Sequence, residues 1–431
     1  MTAGNLQINS EDKRWMKPFF LIFSGQAFSI LGSSVVQFAL IWWLTEKTGS
    51  AAVLTMATLV GFLPEVVLGP FVGALVDRWD RRWVMILADS LVAVVTVGLV
   101  AVVISGQLAV WMIYLALFIR SLGGVFHFTS LQASISLMVP EAHLSRIAGI
   151  NQAMRGTVNI VGPLLAAFLM SVVPFWGVLS VDVITAILAV LSLLFVLIPS
   201  PQQTEGENQT IRSVAMDVYA GMKYVRQWSG LTLLMAGTTL LNFLFMPAFA
   251  LMPLLVTKHF LGGALQLSWI EAMFGVGIVV GGLLLGVWGG FKRRIVTSLV
   301  GLLGMALGMA LVFGAPGNMI WLAMAGMLLV GINMPITNGP FFAIIQARVE
   351  PAMQGRVFSL IASISGAAVP VSMIIAGPTA ELVGVRMWFL VAAIGCMLMG
   401  ASGFFVPAIM NLENEPHSAG QESSQVPVLE V

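Results

Sequence analysis

The chain has 431 residues, 58% hydrophobic and 9% charged, with a formal net charge of +1 and a mean hydropathy of +0.97. Soluble domains run near 45–50% apolar and about 25% charged, so this composition excludes a water-soluble globular enzyme. Backbone in hydrocarbon must satisfy its own hydrogen bonds, and the apolar runs are continuous rather than alternating. Helices are therefore expected, not a barrel.

Residues 1–18 are polar and carry Lys13, Arg14 and Lys17. The run after them is too long for a signal peptide, and no small-residue cleavage site closes it. Six runs of spanning length follow at 19–43, 52–76, 83–104, 108–131, 147–172 and 176–198. Between the second and third lies the sequence Gly73-Ala74-Leu75-Val76-Asp77-Arg78-Trp79-Asp80-Arg81-Arg82, with five charges in its last six positions. In hydrocarbon each would cost about 2.5–3.5 kcal/mol on insertion scales, so this stretch must be a loop outside the bilayer. Residues 199–230 form the longest polar connection. It opens with linker composition, and then Ile211, Val214, Ala215, Val218, Met222 and Val225 fall on one face of an expected amphipathic surface helix. Six more runs occupy 231–256, 267–288, 295–313, 320–345, 357–380 and 388–406. The domain reading is a segment 1–18, a bundle 19–198, a linker 199–230, a bundle 231–410 and a polar tail 411–431, expected to be disordered.

Cations orient the spans. With the N-terminus inside, fifteen of the 20 Lys and Arg fall in inner loops, and Lys47, Lys258 and Arg386 fall outside. Arg120 and Arg155 remain within spans. Both termini are expected in the cytoplasm of a multi-pass inner or plasma membrane protein.

The halves repeat. Residues 139–146 (Val-Pro-Glu-Ala-His-Leu-Ser-Arg) resemble 349–356 (Val-Glu-Pro-Ala-Met-Gln-Gly-Arg) at an offset of 210. Gly69 and Gly73 match Gly282 and Gly286 at an offset of 213, each pair followed by a basic run. Parallel repeats of this kind mark one transporter architecture, with the binding site near the midplane between halves.

These features together resemble the major facilitator superfamily over essentially the whole chain. The 73–82 loop resembles its signature between the second and third helices, with Asp80 where glycine is common. Arg120-Ser121-Leu122-Gly123-Gly124 is similar to its helix-four arginine motif. Gly156, Gly162 and Pro163 are similar to the helix-five motif of antiporters, with Ala166 in place of a further glycine. Val349 to Leu360 and Asp182 look most like the branch of macrolide-type drug exporters. The resemblance implies an all-α fold of twelve transmembrane helices in two six-helix pseudo-symmetric bundles. It also implies a cytoplasmic gate of Gly73, Asp77, Arg78, Arg81 and Arg82. In the second half Gly290 takes the place of Asp77, so the gate reads as one-sided.

Asp89 follows Arg82 by seven residues and is read with that gate rather than as a proton site. Buried charges in a span are functional candidates by default, and carboxylates there are candidates for loading and unloading protons. Glu65, Glu271 and Asp182, with Arg120 and Arg155, form the expected coupling set; Asp182 also reads as an arginine's structural partner. Helical spacing places Gln26, Ser29, Ser33 and Gln37 on one stripe of the first run. Thr238, Asn242, Phe245 and Phe249 share a stripe of the seventh, and Asn333, Thr337 and Phe341 one of the tenth. His127 and Asn151 extend the set. Each reads as cavity lining or as interhelical hydrogen bonding. Gly277, Gly281, Gly282, Gly286 and Gly290 read as close helix contacts.

No Gly-x-x-x-x-Gly-Lys-Ser/Thr loop occurs, and the histidines and Cys396 show no metal-ligand spacing. The expected activity is export of an amphiphilic, drug-like compound by alternating access in exchange for protons, with no enzymatic chemistry. The expectation includes no cofactor beyond the proton gradient, no nucleic-acid partner, and function as a monomer in the bilayer. A siderophore or lysophospholipid cargo, or a non-transporting sensor or assembly role, stands as the alternative.

Overall fold

The structure, a computed structural model, describes residues 15–76, 79–196, 222–226 and 228–413. Asp77 and Arg78 lie outside the described residues. So do segment 1–14, the tail from 414, and the expected surface helix except for 222–226, which are helical.

Twelve described helices are long and apolar enough to cross a membrane. They are α1 (Met16–Thr48), α2 (Ala51–Val76), α3 (Arg81–Ile104), α4 (Val110–Met138), α5 (Leu144–Val172) and α6 (Phe175–Phe195), then α7 (Ser229–Lys258), α8 (Ala264–Trp288), α9 (Arg294–Gly314), α10 (Ile320–Arg348), α11 (Pro351–Val383) and α12 (Arg386–Gly403). Local chemistry sets several ends. Gly49 ends α1 and Gly289 ends α8 at φ of 58° and 76°, left-handed values that glycine adopts without strain. Asp80 starts α3, accepting from the backbone N–H of Arg82 at 2.9 Å and of Trp83 at 3.4 Å. Arg82 reaches the last carbonyls of α6, donating to Leu193 at 2.7 Å and Leu194 at 2.8 Å. Arg81 donates to the Ala133 carbonyl on α4 at 2.7 Å. The basic run after Asp80 thus ties α3 to α4 and α6.

Each helix reverses the last, so one end of the bundle collects Arg81, Arg82, Arg146, Lys292, Arg293, Arg294, Arg348 and Arg356. This is the basic end; Lys47, Lys258 and Arg386 mark the far end. The two six-helix bundles meet along α2 against α11 and α5 against α8.

The halves are joined at the far end and part at the basic end. One far-end core mixes Leu40, Leu44 and Leu54 with Leu251, Leu254 and Ala380. Another mixes Phe38, Trp42 and Ala166 with Ala248, Leu255 and Leu267. At the basic end the cores are separate: Phe19, Met85, Ile147 and Leu193 in the first half, Leu231, Phe341, Ile345 and Leu360 in the second. Glycines mark where contact stops. Gly377 lies against Ala52 and Thr55, and Gly366 against Val66, but Gly69 and Gly73 further along α2 face open space. Gly275 meets Ile160 and Gly156 meets Val279, but Gly282 and Gly286 one and two turns beyond meet nothing. Gly277 and Gly281 instead take α10, where a Cβ on Gly281 would clash with the Ile332 carbonyl oxygen. The expected close contacts therefore hold for Gly277 and Gly281. They do not hold for Gly282 and Gly286, because the facing helix has splayed away.

Candidate functional site: a cavity between the halves

Two buried polar layers stand behind the cavity wall. In the first, Asp182 of α6 pairs with Arg120 of α4, at 1% and 7% side-chain exposure. Ser33 of α1 donates to Asp182 at 2.8 Å. Thr96 of α3 donates to Asp182 at 2.9 Å and accepts from Arg120 at 2.8 Å. Arg120 also reaches the Ser33 carbonyl at 3.3 Å. An arginine in a span keeps its proton and needs such partners. Both carboxylate oxygens of Asp182 accept hydrogen bonds, and the pair is neutral.

The second layer lies toward the basic end. Asp89 of α3, 6% exposed, accepts from Gln26 and Ser29 of α1, each at 3.4 Å. His127 of α4 lies 3.6 Å from Asp89 and 2.5 Å from the Gln26 side-chain oxygen. The placement of Asp89 with the cytoplasmic gate is thereby corrected. Seven residues carry it about 10 Å along α3 from Arg82, and it turns inward to α1 and α4.

In front of these layers lies a cavity of about 620 Å³, lined by all six helices of the first half and by α7 and α8 of the second. Ser29, Ser33, Gln37, Asp89, Arg120, His127 and Arg155 reach it from the first half, and Phe249 and Glu271 from the second. A second space of about 360 Å³ shares Gln37, Asn159, Phe249 and Glu271. Sites of this size and mixed polarity suit drug-sized ligands. Glu271 has no hydrogen-bond or ion-pair partner among the described residues, and lies one turn from Phe274, whose ring meets Phe249 at 4.9 Å. The Arg155 guanidinium sits 4.6 Å over the Phe128 ring. Both groups reach the cavity without a hydrogen-bond or ion-pair partner among the described residues.

The helix-five residues position this wall. Gly162 lies where a Cβ would clash with Ser34 of α1, and Gly156 faces Val279 of α8. The two glycines wedge α5 between α1 and α8, and Pro163 lines the second space.

Other candidates fall elsewhere. Glu65 is exposed on α2, continuing the stripe of Thr58, Gly61 and Phe62 toward the basic end, and is not part of the cavity wall. Gln26 faces the acid layer, not the cavity. Asn151 donates to Gln132 of α4 at 3.0 Å. Asn333 donates to the Leu329 carbonyl at 2.8 Å and packs on Gly304 of α9. Asn242, Phe245 and Thr337 line a separate space of about 130 Å³ within the second half. Phe341 is buried in the basic-end core of that half. These residues therefore hold helices together or line a smaller recess, because the polar face of α10 turns to α9 rather than to the midline. Thr96 and Ser34 were not singled out from the sequence. Thr96 lies two turns after Asp89 on one face of an otherwise apolar helix, a spacing that would have found it.

Comparison with known proteins supplies the rest. The sequence model of the Major Facilitator Superfamily matches residues 22–260 and 231–429. Macrolide efflux protein A of Streptococcus pyogenes is 37% identical over 380 residues, covering 88% of this chain and 93% of that one. The multidrug efflux pump Tap of Mycobacterium tuberculosis is 28% identical over 419 residues, covering 93% and 96%. A bacterial homologue of the human lysosomal transporter Spinster, solved inward-facing and unoccupied, shares the fold. It has a TM-score of 0.69 at 13% identity, over 94% of this chain and 98% of that one.

Proposed function

The chain belongs to the major facilitator superfamily, and from that premise we propose that it exports a macrolide-type, amphiphilic compound from the cytoplasm in exchange for protons. The observation that carries the cargo class is the likeness to macrolide efflux protein A along nearly the whole chain. The cavity is consistent with it: one mostly apolar space, with Glu271 and Arg155 open to the polar groups of a large ligand. The basic end is the cytoplasmic end, by the excess of Lys and Arg in its loops. The parted halves then open the cavity to the cytoplasm, where an exporter collects its cargo. Gly73, Asp77 and Arg78, with Arg81 and Arg82 anchoring α3, form the gate that closes this end. A single chain suffices, because the cavity is complete within it.

The test is retention of erythromycin by an efflux-deficient, macrolide-susceptible bacterium that expresses the chain. Lower cell-associated drug, restored to the control level by a protonophore, is expected. Unchanged retention alongside altered lysolipid or siderophore movement would replace this cargo, and unchanged retention of all three would favour a sensor.

A further inference from the structure

Asp89 and His127 hold an imbalance that the neighbouring layer lacks. Arg120 and Asp182 cancel each other. The other partners of Asp89, Gln26 and Ser29, carry no charge. With a neutral imidazole the layer keeps one uncompensated negative charge, in a carboxylate 6% exposed. Such a charge is costly at membrane depth unless something neutralises it. The His127 imidazole, 3.6 Å from Asp89, is the side chain in reach that can take up a positive charge.

The geometry shows where the proton goes. Gln26 donates its amide N–H to Asp89, so its oxygen accepts from His127 Nε2 at 2.5 Å. Nε2 therefore carries the hydrogen of the neutral ring, and Nδ1 is the vacant nitrogen. His127, Asp89 and Ser29 all reach the 620 Å³ cavity. We infer that the Asp89–His127 pair is a proton-binding site of the exchange, taking one proton at His127 Nδ1 and holding it as an imidazolium beside the Asp89 carboxylate. A hydronium ion in the cavity gives up the proton and leaves as water, and the reverse step returns it to water at the other side. No bond in the cargo is made or broken.

The charged groups around the pair fit this assignment. Arg120 shares α4 with His127 and is occupied by Asp182 on α6. Arg155 on α5 stacks over Phe128, the residue next to His127 on α4. Glu65 on α2 is exposed toward the basic end. Arg81 at the start of α3 reaches Ala133. Gln26 and Ser29 of α1 bring no charge. Glu271 on α8 lines the same cavity from the second half.

This assignment rests on proton-exchange export, and the experiment separates the two. Wild type, Asp89→Asn and His127→Gln are reconstituted in proteoliposomes. Labelled erythromycin is followed in two modes: accumulation under an imposed gradient of about one pH unit, worth about tenfold in cargo per proton exchanged, and counterflow against unlabelled erythromycin without a gradient. Both variants still reach the cavity but no longer take up the proton, so each is expected to lose at least about tenfold more of its gradient-driven accumulation than of its counterflow. Variants that keep counterflow and still accumulate as wild type does overturn the assignment. Loss of counterflow in both variants overturns it as well, in favour of a structural role for the layer. Wild type that counterflows but ignores the gradient refutes the exchange itself, and the proton site falls with it.

Discussion

Ser50, at the start of α2, donates its hydroxyl to the Glu381 carboxylate near the end of α11 at 2.7 Å, and the Ala52 backbone N–H joins the same oxygen at 3.2 Å. A carboxylate from one half thus caps a helix N-terminus of the other, a favourable arrangement of charge and dipole. It sits beside the shared far-end core that holds the halves together. For the cavity to open at that end, this contact must break.

A cleavable bifunctional thiol reagent joining Ser50→Cys to Glu381→Cys is expected to stop erythromycin efflux, and cleavage of the linker to restore it. Cys396 is buried and does not compete. Efflux at the wild-type rate with the linker in place would show that the far end need not open.

Arg120 and Asp182 predict a different pattern. Removing one partner leaves an unpaired charge in the bilayer, so Arg120→Leu or Asp182→Leu alone is expected to destabilise by about 3–5 kcal/mol. The double variant should recover much of that loss, because both charges are gone. Thermal unfolding of the four proteins in detergent closes the cycle. Additive losses in the double variant would mean that the two side chains do not depend on each other.

Glu271 faces the cavity without a partner among the described residues, so its carboxylate is available to a basic group on the cargo. Glu271→Gln is expected to weaken binding of erythromycin, which carries a tertiary amine, by about 1.5–3 kcal/mol, the worth of a charged hydrogen bond. Binding of the same macrolide as its N-oxide should change much less. Equal losses for both ligands in a fluorescence titration would assign Glu271 a role other than meeting the amine.

Adjacent glycines of α8 give a contrast in one turn. Gly281→Ala puts a Cβ into the Ile332 carbonyl and should destabilise the fold, whereas Gly282 meets nothing and Gly282→Leu should fold normally. If the basic end closes by bringing α5 onto α8, leucine at 282 holds it open and slows transport. A well-folded Gly282→Leu variant with normal efflux would place the closing contact elsewhere.

How much of this was legible beforehand follows from what each signal measures. Long apolar runs and the bias of Lys and Arg report one-dimensional properties, and they gave twelve helices with ends close to those observed. The repeat gave the two halves. Pairing in three dimensions was less accessible. Seven-residue spacing from Arg82 suggested that Asp89 belonged to the loop charges. The same spacing equally places it two turns deep, and only the approach of α1 and α4 decides. Gln26 and Asn333 fell on polar stripes, but a stripe does not say whether it faces a cavity or a neighbouring helix. The exchange of Asp77 for Gly290 has a local cause that the sequence hides: Gly290 has φ of 83° and packs on Thr297, a backbone in which aspartate would be strained.

The central claim is that a proton gradient drives this chain to move a macrolide out of the cytoplasm. Inverted membrane vesicles test it most directly, because their interior stands for the outside of the cell. Vesicles containing the protein, acidified inside, should accumulate labelled erythromycin well above vesicles without it and release it when an ionophore collapses the pH difference. Accumulation that is the same with and without the gradient, or absent in both cases, would contradict the account.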